Sequence, residues 1–441
     1  MKNRFFKYVS QNILAMIGLS LYILADTYFI SKAVGANGIT ALNMALPVYG
    51  VIFALGQMVG VGSAIRYSIV KEQYRNSNKD GSNECDKYFS GALFWGLVIG
   101  VIFAVLGLVF PDKIVEIMGG DETIVAIGVP YFRIFMSFSP FFIFNYTCNA
   151  FVRNDGNPSV SMAATLISSL FNIVFDYILM FPLGMGMPGA ALATALSPVV
   201  GVMICMIHFL SKKNTVKFKW FKTSLTRLFH CCQVGMSAFV GEMSGAVIVM
   251  VFNFIILRLT GNIGVAAYGV VANTALVAVA VFNGVALGSQ PLISESYGKH
   301  NIKDIKLIEK LGVATALGLA VIIVIMIWGF TDTIVGVFNS QGSDRLLSLA
   351  RVGLRIYFIG FLFAGINIFC SSALSAIASV KWAFVLSILK GFVVVNVCAA
   401  ILAPIFGMNG VWVAFPLSEF ILLIVSGFAM KKSIGALESE R

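Results

Sequence analysis

Four polar side chains in the first half of the chain have the types and spacing of an oxygen-lined site: Asp26, Asn172, Asp176 and Thr194. Each lies inside a long apolar run, where an ionisable group is costly and by default marks function. Asp26 sits about five residues before the end of its run, Asp176 six before Pro182, and Thr194 six after Pro188. With a helical rise of 1.5 Å, all three fall at a common depth of roughly 8–9 Å below one boundary. Asn172 precedes Asp176 by four residues, so it shares that helical face one turn deeper. Two carboxylates, an amide oxygen and a hydroxyl can ligate a small hard cation such as sodium, or hold a shared proton. The alternative is that the aspartates cap or pair with other helices independently.

The second half has its own set. Glu242, Lys390 and Glu419 fall near the middle of their runs. An ion pair between Lys390 and one of the glutamates would make both tolerable in lipid, as a structural tie or as a second site. Arg133 and Arg355 stand at equivalent positions in the two halves and read as tethers or snorkelling side chains.

The elements that must position these groups are membrane helices. The chain is 59% hydrophobic and 12% charged, against about 25% charged in soluble domains, and its mean hydropathy is +0.91. Windows of about 20 apolar residues, the length that spans a bilayer, predict twelve helices near 9–31, 41–66, 88–110, 125–148, 159–182, 188–210, 232–257, 266–292, 311–330, 348–372, 382–404 and 408–430. The runs are too long for strands and lack the alternation of a membrane barrel. The first has a basic start but no small-residue cleavage site, so it reads as a retained helix. The seven cysteines suggest neither a disulfide framework nor a zinc site. The three scattered histidines read as interfacial or loop residues.

The chain repeats itself. Gly35, Gly38, Ala41, Gly62 and Ser63 recur 226 residues later as Gly261, Gly264, Ala267, Gly288 and Ser289. Arg133, Asn145, Cys148 and Pro182 recur 222 residues later, and Gly189 and Ser197 recur 221 later, at Gly410 and Ser418. The expected fold is therefore an all-α polytopic membrane protein of twelve transmembrane helices in two six-helix lobes. Six is even, so the internal repeat is parallel, the architecture of a secondary transporter. The domains are an N-terminal lobe (1–211), a basic cytoplasmic linker (212–231) and a C-terminal lobe (232–441).

A net charge of +11 would suggest nucleic acid in a soluble protein. Here its placement fixes topology. With the N-terminus inside, 23 basic residues fall in inner segments and five in outer ones, the bias expected for a cell-membrane protein with both termini cytoplasmic. The linker carries six bases and no acid, which suits the anionic inner leaflet. The partners expected are the bilayer and small molecules, with no nucleic acid. No catalytic motif supports an enzyme: there is no His-Glu-x-x-His, nucleophile elbow or phosphate loop. No cofactor is expected beyond a coupling ion, H+ or Na+. The aromatic run 138–146 can line an apolar cavity.

The stretch 172–194, NIVFDYILMFPLGMGMPGAALAT, resembles the N-x-x-x-D…GMG-x-x-GAA-x-AT signature of the multidrug and toxic compound extrusion (MATE) family, bacterial multidrug type. Positions 23–35 are similar to that family's first helix, and GSQPLISESYG at 288–298 to its eighth helix and the loop after it. The resemblance implies two six-helix lobes. It also implies a secondary active antiporter, working as a monomer, that exports organic cations and amphipathic drugs in exchange for inward protons or sodium. The family's amino-terminal cation site falls on Asp26, Asn172, Asp176 and Thr194, with a further fourth-helix asparagine on Asn149. Glu242 lies in the helix of a second-lobe cation site but out of register. The proline at which some members bend the first helix is absent, and Gly18 is that span's only breaker. The alternative within the superfamily is a flippase for a lipid-linked oligosaccharide or other amphipathic lipid. That activity needs a positive cavity, whereas the clearest buried charges here are acidic.

Overall fold

The computed structural model describes residues 1–77, 81–221, 223–338 and 343–439. Lys79, Lys222 and Arg441, which enter the charge count, lie outside the described residues. The first half consists of α1 (Lys2–Ala33), α2 (Ala36–Asn76), α3 (Ser82–Val109), α4 (Pro111–Ile117), α5 (Glu122–Ser137), α6 (Ser139–Asn154), α7 (Pro158–Met180) and α8 (Met187–Phe209). After an irregular stretch come α9 (Leu225–Gly298), α10 (Ile302–Gly329), α11 (Thr331–Phe338), α12 (Asp344–Tyr357), α13 (Phe361–Ala376), α14 (Val380–Ile388), α15 (Val394–Phe406) and α16 (Met408–Ser439). Among the described residues ten helices are long and apolar enough to cross a membrane, and the bent pair α5–α6 adds another. The 74-residue α9 contains two spans divided at Gly261, which accounts for the twelve expected. The chain is a multi-pass membrane protein.

The breaks in the helices have local causes. At Gly261 φ is 69° and ψ −157°; at Gly35, 226 residues earlier, they are 80° and −156°. Gly186 and Gly407, 221 apart, have φ 57° and 58° with ψ −132° and −136°. This combination is essentially closed to residues with a Cβ. The duplication is thus written in the backbone as well as in the sequence. The predicted span 125–148 is bent by 46° between α5 and α6, because Pro140 would drive its ring into the carbonyl of Met136 in a continuous helix. That freed carbonyl accepts the Ser139 hydroxyl at 2.6 Å. The second copy has its irregularity at the corresponding place, a 3-10 turn at Phe358–Gly360. By contrast α1 runs without a break from Lys2 to Ala33, with Gly18 under the Leu166 side chain.

Two compact units form. The first contains Leu14–Glu242 and Tyr297–His300; the second contains Met1–Ile13, Met243–Ser296 and Asn301–Arg441. Residues 212–242, in linear order the linker and the start of the second half, belong to the first unit. Glycines account for the exchange. In the first unit Gly62 of α2 and Gly235 of α9 bring the two backbones into direct contact, so that a Cβ on either would strike the Cys231 or Met58 carbonyl. In the second unit Gly288, the repeat partner of Gly62, meets Tyr8 and Val9 of α1 in the same way. The core of the first unit gathers Phe132, Phe135, Phe142 and Met180. That of the second gathers Phe252, Phe358, Trp412 and Phe415.

The irregular stretch between α8 and α9 is strapped to the first unit. The backbone N–H of Lys217 donates to Asp86 (2.7 Å), and that of Lys219 donates to Ser90 (3.0 Å). The N–H of Thr215 donates to Asp155 at 2.9 Å. Asp155 anchors the strap. Its enclosed carboxylate also receives Lys71 (2.8 Å), His208 Nε2 (2.9 Å) and the hydroxyls of Tyr67 and Thr215. Burial alone would raise the pKa of this group, but the donation from His208, Lys71 and Thr215 outweighs it and holds the carboxyl well below the usual range. The Asn157 amide occupies His208 Nδ1 at 3.2 Å, which leaves Nε2 to carry the proton. His208 is therefore a buried structural residue, not the interfacial or loop residue expected from its position.

Candidate functional site

The α7–α8 hairpin builds the centre of the site. Gly184 and Gly186, both at positive φ, turn the chain within a few residues. Gly189 then lets α8 lie close against Leu179 of α7. Two rungs fix the register between these helices: the Asn172 amide donates to the Thr194 hydroxyl (3.2 Å), and the Ser197 hydroxyl donates to the Ser168 carbonyl (2.9 Å). Asp176, one turn from Asn172, is fully buried, and Asp26 of α1 is 7% exposed. Their carboxyl groups come within hydrogen-bonding range of one another. The structure thus brings together Asp26, Asn172, Asp176 and Thr194.

Four oxygens of this cluster lack donors among the described residues. Asp26 Oδ1, both carboxylate oxygens of Asp176, and Asn172 Oδ1 are buried and accept from no group among the described residues. The amide of Asn172 is anchored on Thr194, which leaves its carbonyl oxygen on the carboxylate side unmatched. Buried polar atoms are nearly always hydrogen-bonded, so four acceptor oxygens without a donor need a proton or a cation. The residues fit both. A carboxyl pair can share a proton, and an oxygen-only donor set suits a hard monovalent ion.

Two buried tyrosines lie near the pair, and their types and spacing do not single them out in the sequence. Tyr22 lies one turn before Asp26 on α1, and Tyr131 approaches both aspartates from α5. Tyr22 lies beside Tyr49. Tyr49 stacks edge-on with Phe53 (4.0 Å) and Phe142 (5.1 Å), and Phe53 meets Tyr146 at 5.1 Å. The i, i+4 spacing of Tyr22 and Asp26 was the only available signal. Phe142 and Tyr146 belong to the aromatic run 138–146, here packed with Tyr49 and Phe53 into an aromatic cluster.

Other expected residues fall elsewhere. Asn149 donates to the Asn145 carbonyl and side chain at 2.9 Å and accepts from Ser161 at 3.1 Å. Ser161 is eleven residues from Asn172 on α7, about 16 Å along the axis, so Asn149 stands apart from the carboxylates. Glu242 lies in the first unit, where Gln57 donates to it at 2.6 Å. In the second unit Asn367 donates to the Glu419 carboxylate (2.7 Å), and Ser426 in turn donates to Asn367 (2.7 Å). Lys390 lies in the π-turn Leu389–Val393 and makes no direct ion pair with Glu419 among the described residues. Of the two partners expected for Lys390, Glu242 and Glu419, the second forms no direct ion pair with it, because equal depth does not fix rotation about the helix axis and Asn367 already holds that carboxylate. Arg133 and Arg355 are exposed.

A duplicated helical bundle of this kind, with acidic groups at membrane depth, has the build of a membrane transporter. The chain belongs to the MATE family: the MatE family model matches residues 12–178 and again 238–405, the two halves of the repeat. Among curated proteins it is 26% identical over 423 residues to a multidrug export protein MepA of Staphylococcus aureus (strain bovine RF122 / ET3-1), covering 93% of this chain and 90% of that protein. It is 24% identical to the MepA protein of Staphylococcus saprophyticus, covering 92% and 88%. Among solved structures, a crystal structure of MATE in complex with MaL6 superposes with a TM-score of 0.93 at 22% identity, over 99% of this chain and 97% of that one. An outward-facing multidrug resistance MATE transporter of the MOP superfamily superposes at 0.92 and 22% identity, over 99% and 96%. These structures share the fold.

Proposed function

We propose that the protein is a secondary active antiporter that exports organic cations and amphipathic drugs in exchange for protons or sodium ions. The observation that carries this reading is the buried set of donorless oxygens on Asp26, Asn172 and Asp176. Two facing carboxylates in a dry site repel each other unless an ion joins them, so the set binds a proton or sodium and releases it when the surroundings change. The aromatic side chains of the first unit, Tyr22, Tyr49, Phe53 and Tyr146 among them, suit flat apolar cations, whose charge is attracted to ring faces. The multidrug export named for the MepA relatives supports the same substrate class. Binding of the ion favours one arrangement of the protein and weakens the drug, and linkage makes the effect mutual. The acidic character of the site disfavours a flippase for lipid pyrophosphates. We place the protein in the cell membrane with both termini cytoplasmic, on the 23 to five bias of basic residues.

The test is transport by purified protein in proteoliposomes. Ethidium should move against its gradient when a proton or sodium gradient is imposed. The Asp26→Asn and Asp176→Asn proteins should equilibrate it at most. Accumulation by wild type that survives collapse of both gradients would overturn the antiport reading.

A further inference from the structure

A second cavity lies wholly within the first unit and is separate from the carboxylate site. It encloses about 890 Å³, inside the range of roughly 300–1,000 Å³ typical of ligand sites. Its walls are apolar: Phe89 and Trp95 of α3, Phe144 of α6, and Val202 and Phe209 of α8. Its rim is basic. Lys87, Lys217, Lys219 and Arg227 line it, and no acid among the described residues does. Two acids stand behind the rim. Glu84 is shared by Lys87 and Arg227, and Asp86 pairs with Lys219 at 2.7 Å. The rim therefore keeps a surplus of two positive charges. The Lys217 ammonium has no partner among the described residues, although its backbone N–H ties the strap to Asp86.

Exposed apolar side chains frame the mouth. Leu97, Met206 and Leu210 line the cavity and are 44%, 42% and 81% exposed, and Trp220 on the strap is 86% exposed. An occupant enters sideways from the bilayer, past aromatic and aliphatic groups of the kind that settle at the interface. The basic rim repels the organic cations proposed for the exported substrates.

We infer that this cavity binds an anionic phospholipid, its acyl chain between α3 and α8 and its phosphate among Lys87, Lys217 and Arg227. Arg227 already lies over the Tyr88 ring at 5.5 Å, and Lys87 over Phe221 at 5.7 Å, so the rim cations are held in place before the lipid arrives. On the proposed orientation the lipid belongs to the cytoplasmic leaflet. The site itself does not depend on that reading, nor on ion coupling.

Native mass spectrometry of the detergent-solubilised full chain tests this. Titration with phosphatidylglycerol should reveal one site at least fivefold tighter than any for phosphatidylcholine of the same chains. Lys217→Glu should weaken that site at least fivefold, and Lys217→Arg should keep it. Gly91→Leu should also abolish it, because a Cβ at Gly91 meets nothing within 4 Å and the longer side chain fills the cavity without a clash. Unchanged elution volume and unfolding temperature would show that the variants are folded. Equal retention of the two lipids would overturn the proposal. So would a phosphatidylglycerol site untouched in both Lys217→Glu and Gly91→Leu, or displacement of the lipid by inorganic phosphate alone.

Discussion

Replacing Asp176 by asparagine removes one of two facing charges while keeping the shape of the side chain. In wild type the carboxyls of Asp26 and Asp176 lie within hydrogen-bonding range. Two full charges about 4 Å apart repel by about 4 kcal/mol at an effective dielectric of about 20. A proton or sodium ion removes that repulsion, and this energy is available to bias the protein between its arrangements. Couplings between sites are typically 1–3 kcal/mol, a factor of about 5–150 in affinity. Drug affinity of the purified wild-type protein should therefore fall by about 5–150-fold when sodium is added or the pH is taken from mildly alkaline to mildly acid. The Asp176→Asn protein has no carboxylate pair to discharge, so its response should shrink to less than about twofold, the size of a 0.4 kcal/mol coupling. Fluorescence polarisation of a dye such as ethidium measures both. Thr194→Ala should leave the direction intact and weaken it, since it costs the Asn172 amide its acceptor at 3.2 Å. A buried donor left unmatched costs about 1–3 kcal/mol. A full wild-type response to both pH and sodium in Asp176→Asn and in Asp26→Asn would refute the reasoning.

Asp155→Ala should lower the unfolding free energy by about 3–5 kcal/mol, because it strands a buried cation-bearing network, and should raise the labelling rate of a cysteine placed at Asn214. Asp155 is held below its ordinary range, so its contribution is fully present above about pH 3.9 and is lost only as pH falls through the lower folded value. Thermal scans at mildly acid pH should show the strap still attached. Gly62→Ala should cost about 1–3 kcal/mol through overpacking against the Cys231 carbonyl. Gly50→Ala on the same helix, with nothing within 4 Å of the new Cβ, should be neutral or stabilising by up to about 1 kcal/mol; urea titration in a mild detergent compares them. Cysteines at Ser77 and Asn214, in a background freed of native cysteines, should be shielded from an impermeant maleimide in intact cells. Labelling of both from outside would reverse the orientation.

The spans were legible because a bilayer imposes length and apolarity on every crossing segment, and the duplication in part because Gly35 and Gly261 are held by backbone angles no other residue adopts readily. The clustering of Asp26, Asn172, Asp176 and Thr194 was legible from depth, since a hairpin as short as that between α7 and α8 leaves little freedom of register. What depth does not encode is rotation about each helix. For that reason depth leaves Glu242 and Glu419 equal as partners of Lys390 although Asn367 holds the Glu419 carboxylate, and nothing marks Tyr131 among thirteen tyrosines. Asp155 and His208, 53 residues apart, carry no local pattern that announces their contact. Asn149 was placed by resemblance alone, and its amide is taken by Asn145 and Ser161.

The confinement of the carboxylate pair to one half bears on voltage. At the matching positions the second half carries Phe252, Val394, Cys398 and Phe415, with Phe252 stacked on Tyr268 and Phe415 on Tyr357, so that copy of the site moves no charge. If the pair takes up one monovalent ion for each monovalent drug expelled, the cycle is electroneutral. The membrane potential, worth about 2.3 kcal/mol per elementary charge per 100 mV, then adds nothing, and export follows the ion's concentration ratio alone. If each carboxyl takes its own proton, one net charge enters per cycle and the potential becomes a driving force in its own right. The occupancy of Asp26 and Asp176 thus sets whether a cell whose membrane is depolarised can still clear a cationic drug.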